Sequence, residues 1–159
     1  MNIFFLGLAG NIFSRGLYDM ARDNSGLVFT HNQWKKVAKT LVRDFKQSKI
    51  THVNLCGHSL GARSCLKVAK YLVKNEVPVN KLILLDYVEG NRFWYPQLLI
   101  PKSIDYDNVI HLRTLDRRVK PLMFWDKSTS ARTVIYDIPH ADLDDYSSSH
   151  QTVKEYLGD

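Results

Sequence analysis

Long apolar runs are missing from this sequence. The strongest, KLILL (81–85) and QLLI (97–100), stop at charge or proline far short of the roughly 20 residues that cross a bilayer, so no membrane span is expected. Cysteine is scarce too. Cys56 and Cys65 are the only two, which excludes a disulfide framework and fits a reducing, cytoplasmic setting. With five prolines and eight glycines there is no collagen-like, linker or low-complexity tract, and no internal repeat. Acidic residues are outnumbered, 16 Asp and Glu against 22 Lys and Arg, for a formal charge of +6. A basic balance of this kind can mark a polyanion partner. Here the cations are spread over outer faces of predicted helices, Lys35, Lys36, Lys39 and Arg43 on one and Lys67, Lys70 and Lys74 on another. They read as solvated faces, and no nucleic-acid partner is expected.

What is present is a regular alternation. At 159 residues and 45% hydrophobic content, the chain supports one well-buried domain over 1–159. Strand patterns at NIFFLGL, GLVFTH, THVNLC, KLILLDY, NVIHLRTL and TVIYDIP are interleaved with helical patterns at SRGLYDMARDN, QWKKVAKTLVRDFKQ and ARSCLKVAKYLVKN, and a serine-capped helix, SSSHQTVKEYL, follows. Trp34, Val37, Ala38, Leu41 and Phe45 form the i, i+3, i+4, i+7, i+11 stripe of a buried helix face. The opening MNIFFLGLAGNIF has no basic leader and is broken by glycine and asparagine, so it reads as a strand entering a glycine-rich loop rather than a signal peptide. Alternating elements predict a three-layer α/β/α sandwich around a mainly parallel sheet of about six strands. The long irregular stretch 88–108, with its Phe93, Trp94, Tyr95 cluster, is expected to be a lid, a pocket wall or a packed surface excursion.

Between the third strand pattern and the third helix lies GHSLG, residues 57–61. At background frequencies a G-x-S-x-G match occurs by chance in about 5% of chains this long, so the motif alone is weak. Its context is more specific, because a strand end followed directly by a helix is the setting of a nucleophile elbow. The elbow strains the backbone of Ser59, and a Cβ at 57 or 61 would strike neighbouring main chain. The helix N-terminus adds partial positive charge where an oxyanion would form. A serine nucleophile needs a base. Among the histidines, His140 follows a strand and precedes the last helix, where a base is required. His111 falls inside a strand, His58 sits in the elbow pointing elsewhere, His150 reads as a surface residue, and His31 lines the site or caps a helix.

Two aspartates qualify to orient His140: Asp86, after the fourth strand and preferred, and Asp116, after the fifth as the alternative. Leu60 supplies one backbone donor of an oxyanion hole, and the loop GLAGN supplies the other, with Leu8 the first choice and Ala9 the reserve. Together these residues resemble the α/β-hydrolase superfamily, in the reduced form of small cutinase-like, lipase-like or thioesterase-like serine hydrolases. The order Ser59, Asp86 or Asp116, His140 is the order that superfamily uses. Relative to the full fold, the first two strands and a cap domain are absent, and Leu6-Gly7 stands where the family has His-Gly. The resemblance implies a carboxylic ester or thioester as small-molecule substrate, an acyl-enzyme on Ser59, and no metal or organic cofactor. A non-catalytic α/β binding module that keeps the elbow as scaffold is the alternative.

Overall fold

The structure, a computed structural model, describes residues 1–8, 15–87, 100–115 and 132–158. Among these residues six strands are formed: β1 (Asn2–Leu6), β2 (Leu27–Thr30), β3 (Val53–His58), β4 (Val79–Leu85), β5 (Val109–Thr114) and β6 (Arg132–Tyr136). Four α-helices accompany them among the described residues: α1 (Gly16–Asp23), α2 (Trp34–Lys46), α3 (Leu60–Lys74) and α4 (Ser147–Gly158). The strands lie in one sheet in the order β2-β1-β3-β4-β5-β6, and every pairing is parallel. Sequence periodicity therefore anticipated each of these elements, though not their neighbours in the sheet. The serines of the last helix fill its first turn, since the helix begins at Ser147.

Strand side chains alternate between the faces, and both faces are covered. Ile3, Phe5, Leu55, Leu82 and Leu84 point into a core with Val37, Ala38 and Leu41 of α2 and Leu66, Ala69 and Leu72 of α3. Phe4, Leu6, Cys56, Ile83 and Leu85 point the other way, onto Leu17, Met20 and Ala21 of α1 and Val153 and Tyr156 of α4. The central strands thus read as continuous apolar runs because no face of them meets water. Each such Leu, Ile or Phe contributes about 1.5–3 kcal/mol by leaving water. The stripe on α2 is buried or half-buried as its spacing predicts, while Lys35, Lys36, Lys39 and Arg43 of the same helix are exposed. Trp34 also carries the Lys67 ammonium 5.2 Å above its ring. Cys56 and Cys65 are buried free thiols in different cores.

A parallel sheet gathers the C-terminal ends of its strands on one edge, where ligands of open α/β sheets bind. Ser59 follows β3 there, Asp86 follows β4 and Thr114 ends β5. Of the irregular stretch 88–108, residues 88–99 lie outside the described residues. Beyond them Ile100 packs on the first core and Ile104 is buried in it.

Candidate active site

Ser59 joins β3 to α3 with φ 55° and ψ −119°. A non-glycine residue in this left-handed region stores on the order of 1–3 kcal/mol and persists only where its surroundings enforce it. Here two hydrogen bonds bracket it: Ser59 N–H donates to Leu85 C=O at 2.9 Å, and Ala62 N–H donates to Ser59 C=O at 3.1 Å. The two glycines permit the close approach. A Cβ on Gly57 would lie 2.5 Å from the Gly61 carbonyl carbon, and one on Gly61 would lie 1.9 Å from the Phe5 carbonyl oxygen. Although Ser59 occupies the N-cap of α3, its hydroxyl makes no capping hydrogen bond. Helix capping, the ordinary reason for a serine here, is therefore not its role.

Asp86 is the residue after β4, fully buried, also with positive φ (44°). Its N–H donates to Leu112 C=O at 2.6 Å. Its carboxylate accepts from Thr114 N–H at 3.2 Å and from the Thr114 hydroxyl at 2.6 Å. The third partner is His140, whose Nδ1 lies 2.6 Å from Asp86 Oδ2. Because a carboxylate only accepts, His140 Nδ1 is the donor in this bond. His140 opens a short 3-10 turn, His140–Asp142, that follows Pro139. Its ring packs 4.8 Å from that of His58, the residue preceding Ser59. The alternative acid, Asp116, lies outside the described residues, as does Ala9.

The two expected backbone donors, Leu60 and Leu8, belong to adjoining elements. The contact of Gly61 with the Phe5 and Leu6 carbonyl oxygens seats the first turn of α3 on the end of β1, from which Gly7 and Leu8 continue. His31 Nδ1 is 3.2 Å from Gly7 C=O, and because a carbonyl only accepts, the imidazole donates. In a trans peptide C=O and N–H point in opposite directions, so this bond turns the Leu8 N–H away from His31. His31 is held in turn by the Ser64 hydroxyl of α3, which donates to its carbonyl at 2.7 Å.

Several polar residues around the site escaped the sequence reading. Thr114 carried no local cue, since its value lies in the pairing of β4 with β5. His58 does not point elsewhere; it is 2% exposed and stands against His140. His150 is not a surface residue either, being half-buried with Nε2 donating to Asp144 C=O at 2.6 Å. His111 lies inside β5 as expected, fully buried and accepting the Tyr87 N–H at 3.3 Å. Burial, reinforced by the nearby His140, pushes the His58 imidazole down to about 3, and burial together with Asp145 pushes the Asp144 carboxyl up to about 7. Among the described residues no group of three His, Cys, Asp or Glu side chains is arranged to hold a metal ion. An apolar groove between β2 and α2, lined by Ile3, Leu27, Phe29 and Leu41 among others, shares no residue with this site.

A parallel six-stranded sheet with helices on both faces and a strained serine elbow after its third strand is the α/β-hydrolase fold. Solved structures of that fold superpose on nearly the whole chain. A hydrolase of the α/β superfamily from Xanthomonas campestris pv. campestris, itself described as putative, matches with a TM-score of 0.63 at 14% identity, over 98% of this chain and 94% of that one. The NocB thioesterase domain in covalent complex with a fluorophosphonate nocardicin G analogue matches with a TM-score of 0.62 at 15% identity, over 99% and 94%. Human thioesterase 2 matches with a TM-score of 0.55 at 14% identity, over 98% and 93%. At such identities the likeness speaks for the fold. No protein-family model and no curated protein matches the sequence.

Proposed function

We propose that the protein is a serine hydrolase that cleaves a carboxylic ester or thioester through an acyl-enzyme on Ser59. The observation that carries this reading is the 2.6 Å hydrogen bond from His140 Nδ1 to the buried Asp86 carboxylate, with Ser59, in its strained elbow, hydrogen-bonded to Leu85, the residue before Asp86. In the proposed reaction Ser59 Oγ attacks the acyl carbonyl while Nε2 of His140 takes its proton. Asp86 holds the tautomer and stabilises the imidazolium. The oxyanion rests on the Leu60 and Leu8 N–H groups, aided by the N-terminus of α3. His140 then protonates the leaving alkoxide or thiolate, and water, deprotonated by the same imidazole, releases the acid and restores Ser59.

The fold likeness to thioesterases and hydrolases agrees with this chemistry, and a small-molecule substrate suits it. Buried free thiols and the absence, among the described residues, of a helix long and apolar enough to cross a membrane are compatible with the proposed cytoplasmic setting. A fluorophosphonate probe tests the reading directly, since it reacts with an activated serine. Labelling of the wild type, lost in Ser59→Ala, is expected. An unlabelled wild type that also fails to hydrolyse p-nitrophenyl esters and acyl thioesters would leave the elbow as scaffold and return the binding-module reading.

A further inference from the structure

The residue next to the nucleophile is tied to the main chain of the base. His58 Nε2 is 2.9 Å from the carbonyl oxygen of His140. A carbonyl only accepts, so this nitrogen carries a proton. The ring is 2% exposed, and burial disfavours a second proton. Nδ1 of the neutral ring is then an acceptor, and it faces Asp144 Oδ1 at 3.5 Å inside the same buried space. Asp144 is itself fully buried. Its Oδ2 accepts the Leu17 N–H from α1 at 3.2 Å, and its carbonyl accepts from His150 of α4. Among the described residues Oδ1 has no hydrogen-bond partner besides the approach of His58. An acceptor nitrogen opposite a carboxyl oxygen is favourable only when the carboxyl keeps its proton, which is the form that burial favours for Asp144.

We propose that His58 is a positioning residue for the hydrolysis: its Nε2–H clamps the His140 carbonyl to the elbow, and a protonated Asp144 selects that tautomer. The proposal rests on the reading of His140 as general base. Its physical content is rigidity. His140 sits in a short turn 82 residues from His58, and the Asp86 bond fixes its ring at Nδ1 but leaves the loop's main chain to be held elsewhere. The His58 bond supplies that hold, from a residue whose neighbour is the nucleophile. Displacing the base by about 1 Å costs on the order of 100-fold in rate.

Ionising Asp144 would draw the proton of His58 to Nδ1 and leave Nε2 bare against the His140 carbonyl. The clamp then loosens as pH rises through the Asp144 transition. The titratable groups facing the pair are His140 and Asp145 from the loop before α4, Cys56 from β3 and His150 from α4, while α1 presents the Leu17 N–H.

The test uses the full chain and three substitutions. Gln places its amide nitrogen three bonds beyond Cβ, as His places Nε2, so His58→Gln keeps the donor. Asn is one bond short, and His58→Asn loses it. Asp144→Asn keeps a donor toward Nδ1 and an acceptor toward Leu17 at every pH. Expected for His58→Asn is a fall in kcat of about 10- to 100-fold with KM little changed, with His58→Gln recovering most of it. Asp144→Asn is expected to remove the alkaline decline of kcat while leaving its neutral value near wild type.

Wild-type kcat in His58→Asn, or a His58→Gln as poor as His58→Asn, would overturn the clamp. Retention of the alkaline decline in Asp144→Asn would overturn the tautomer selection. Imidazole nitrogen NMR of the wild type gives an answer independent of turnover and of whether any variant folds. Protonated Nε2 and bare Nδ1 at His58, with a coupling from Nε2–H to the His140 carbonyl, are expected; the opposite tautomer overturns the proposal. An inactive, unlabelled wild type showing that coupling would mean that the serine-hydrolase reading has failed while the His58 clamp stands as structure.

Discussion

Replacing Asp86 by asparagine changes one oxygen to NH2 where Thr114 and His140 both donate to the carboxylate. The carboxylate accepts from Thr114 N–H on Oδ1, and from the Thr114 hydroxyl and His140 Nδ1 on Oδ2. In Asp86→Asn the Thr114 N–H keeps the carbonyl oxygen on its side, because two donors cannot face each other. The amide NH2 is therefore forced toward Thr114 Oγ and His140 Nδ1. The hydroxyl can rotate and accept, but His140 must surrender the proton on Nδ1 to accept in its turn. The proton moves to Nε2, the nitrogen that has to be bare to take the Ser59 proton in the proposed reaction. The expected loss in kcat is up to about 10⁴-fold, equivalent to about 5 kcal/mol of barrier, with KM little changed. Loss of a charge-assisted bond costs stability as well, about 1.5–3 kcal/mol, so a denaturant titration must accompany the kinetics. Both variants, Asp86→Asn and Asp116→Asn, are to be assayed on one p-nitrophenyl ester at saturating concentration. A folded Asp86→Asn with near wild-type kcat would refute the argument, and a crippled Asp116→Asn beside it would move the acid one strand along.

Ser59→Ala is expected to abolish ester hydrolysis with an unchanged melting temperature, and His140→Ala to abolish it by removing the base; steady-state turnover in either variant is the check. Thr114→Val deletes the hydroxyl that holds Asp86 Oδ2 while keeping shape and N–H, and should lower kcat about tenfold; no change would mean that the Asp86 carboxylate is held well enough without it. Gly61→Ala drives a Cβ into the Phe5 carbonyl, a backbone that cannot step aside, and should cost at least about 1–3 kcal/mol, read as a lower denaturation midpoint. The buried pair gives a pH dependence of stability with a definite sign. His58, lowered from 6.5 to about 3, costs stability as pH falls below 6.5, and Asp144, raised from 3.8 to about 7, costs stability as pH rises from 3.8 to about 7. Between these the two slopes oppose each other. Asp144→Asn should therefore lose its own downward slope, so that its stability relative to wild type climbs from pH 4 to 7 in chemical denaturation; a parallel pair of curves would show that the Asp144 pKa is not raised.

What the sequence determined by itself is what depends on neighbours along the chain. The stripe on α2, the apolar runs of β3 and β4 and the turn at Ser59 each follow from residues a few positions apart, because helix and strand periods and the steric demands of an elbow are local. Gly57 and Gly61 were legible for the same reason. Which carboxylate meets His140 was not. Asp86 and Asp116 both follow apolar strands, and it is the pairing of β4 with β5, which brings Thr114 to Asp86, and the return of the chain after β6 that set His140 Nδ1 2.6 Å from Asp86. The same holds for His58. In one dimension it is a residue beside a serine; in three it meets a carbonyl 82 positions away and an acid on the loop before α4. A buried polar group takes its protonation state from the partners that folding delivers, and those partners come from elements that no local pattern connects.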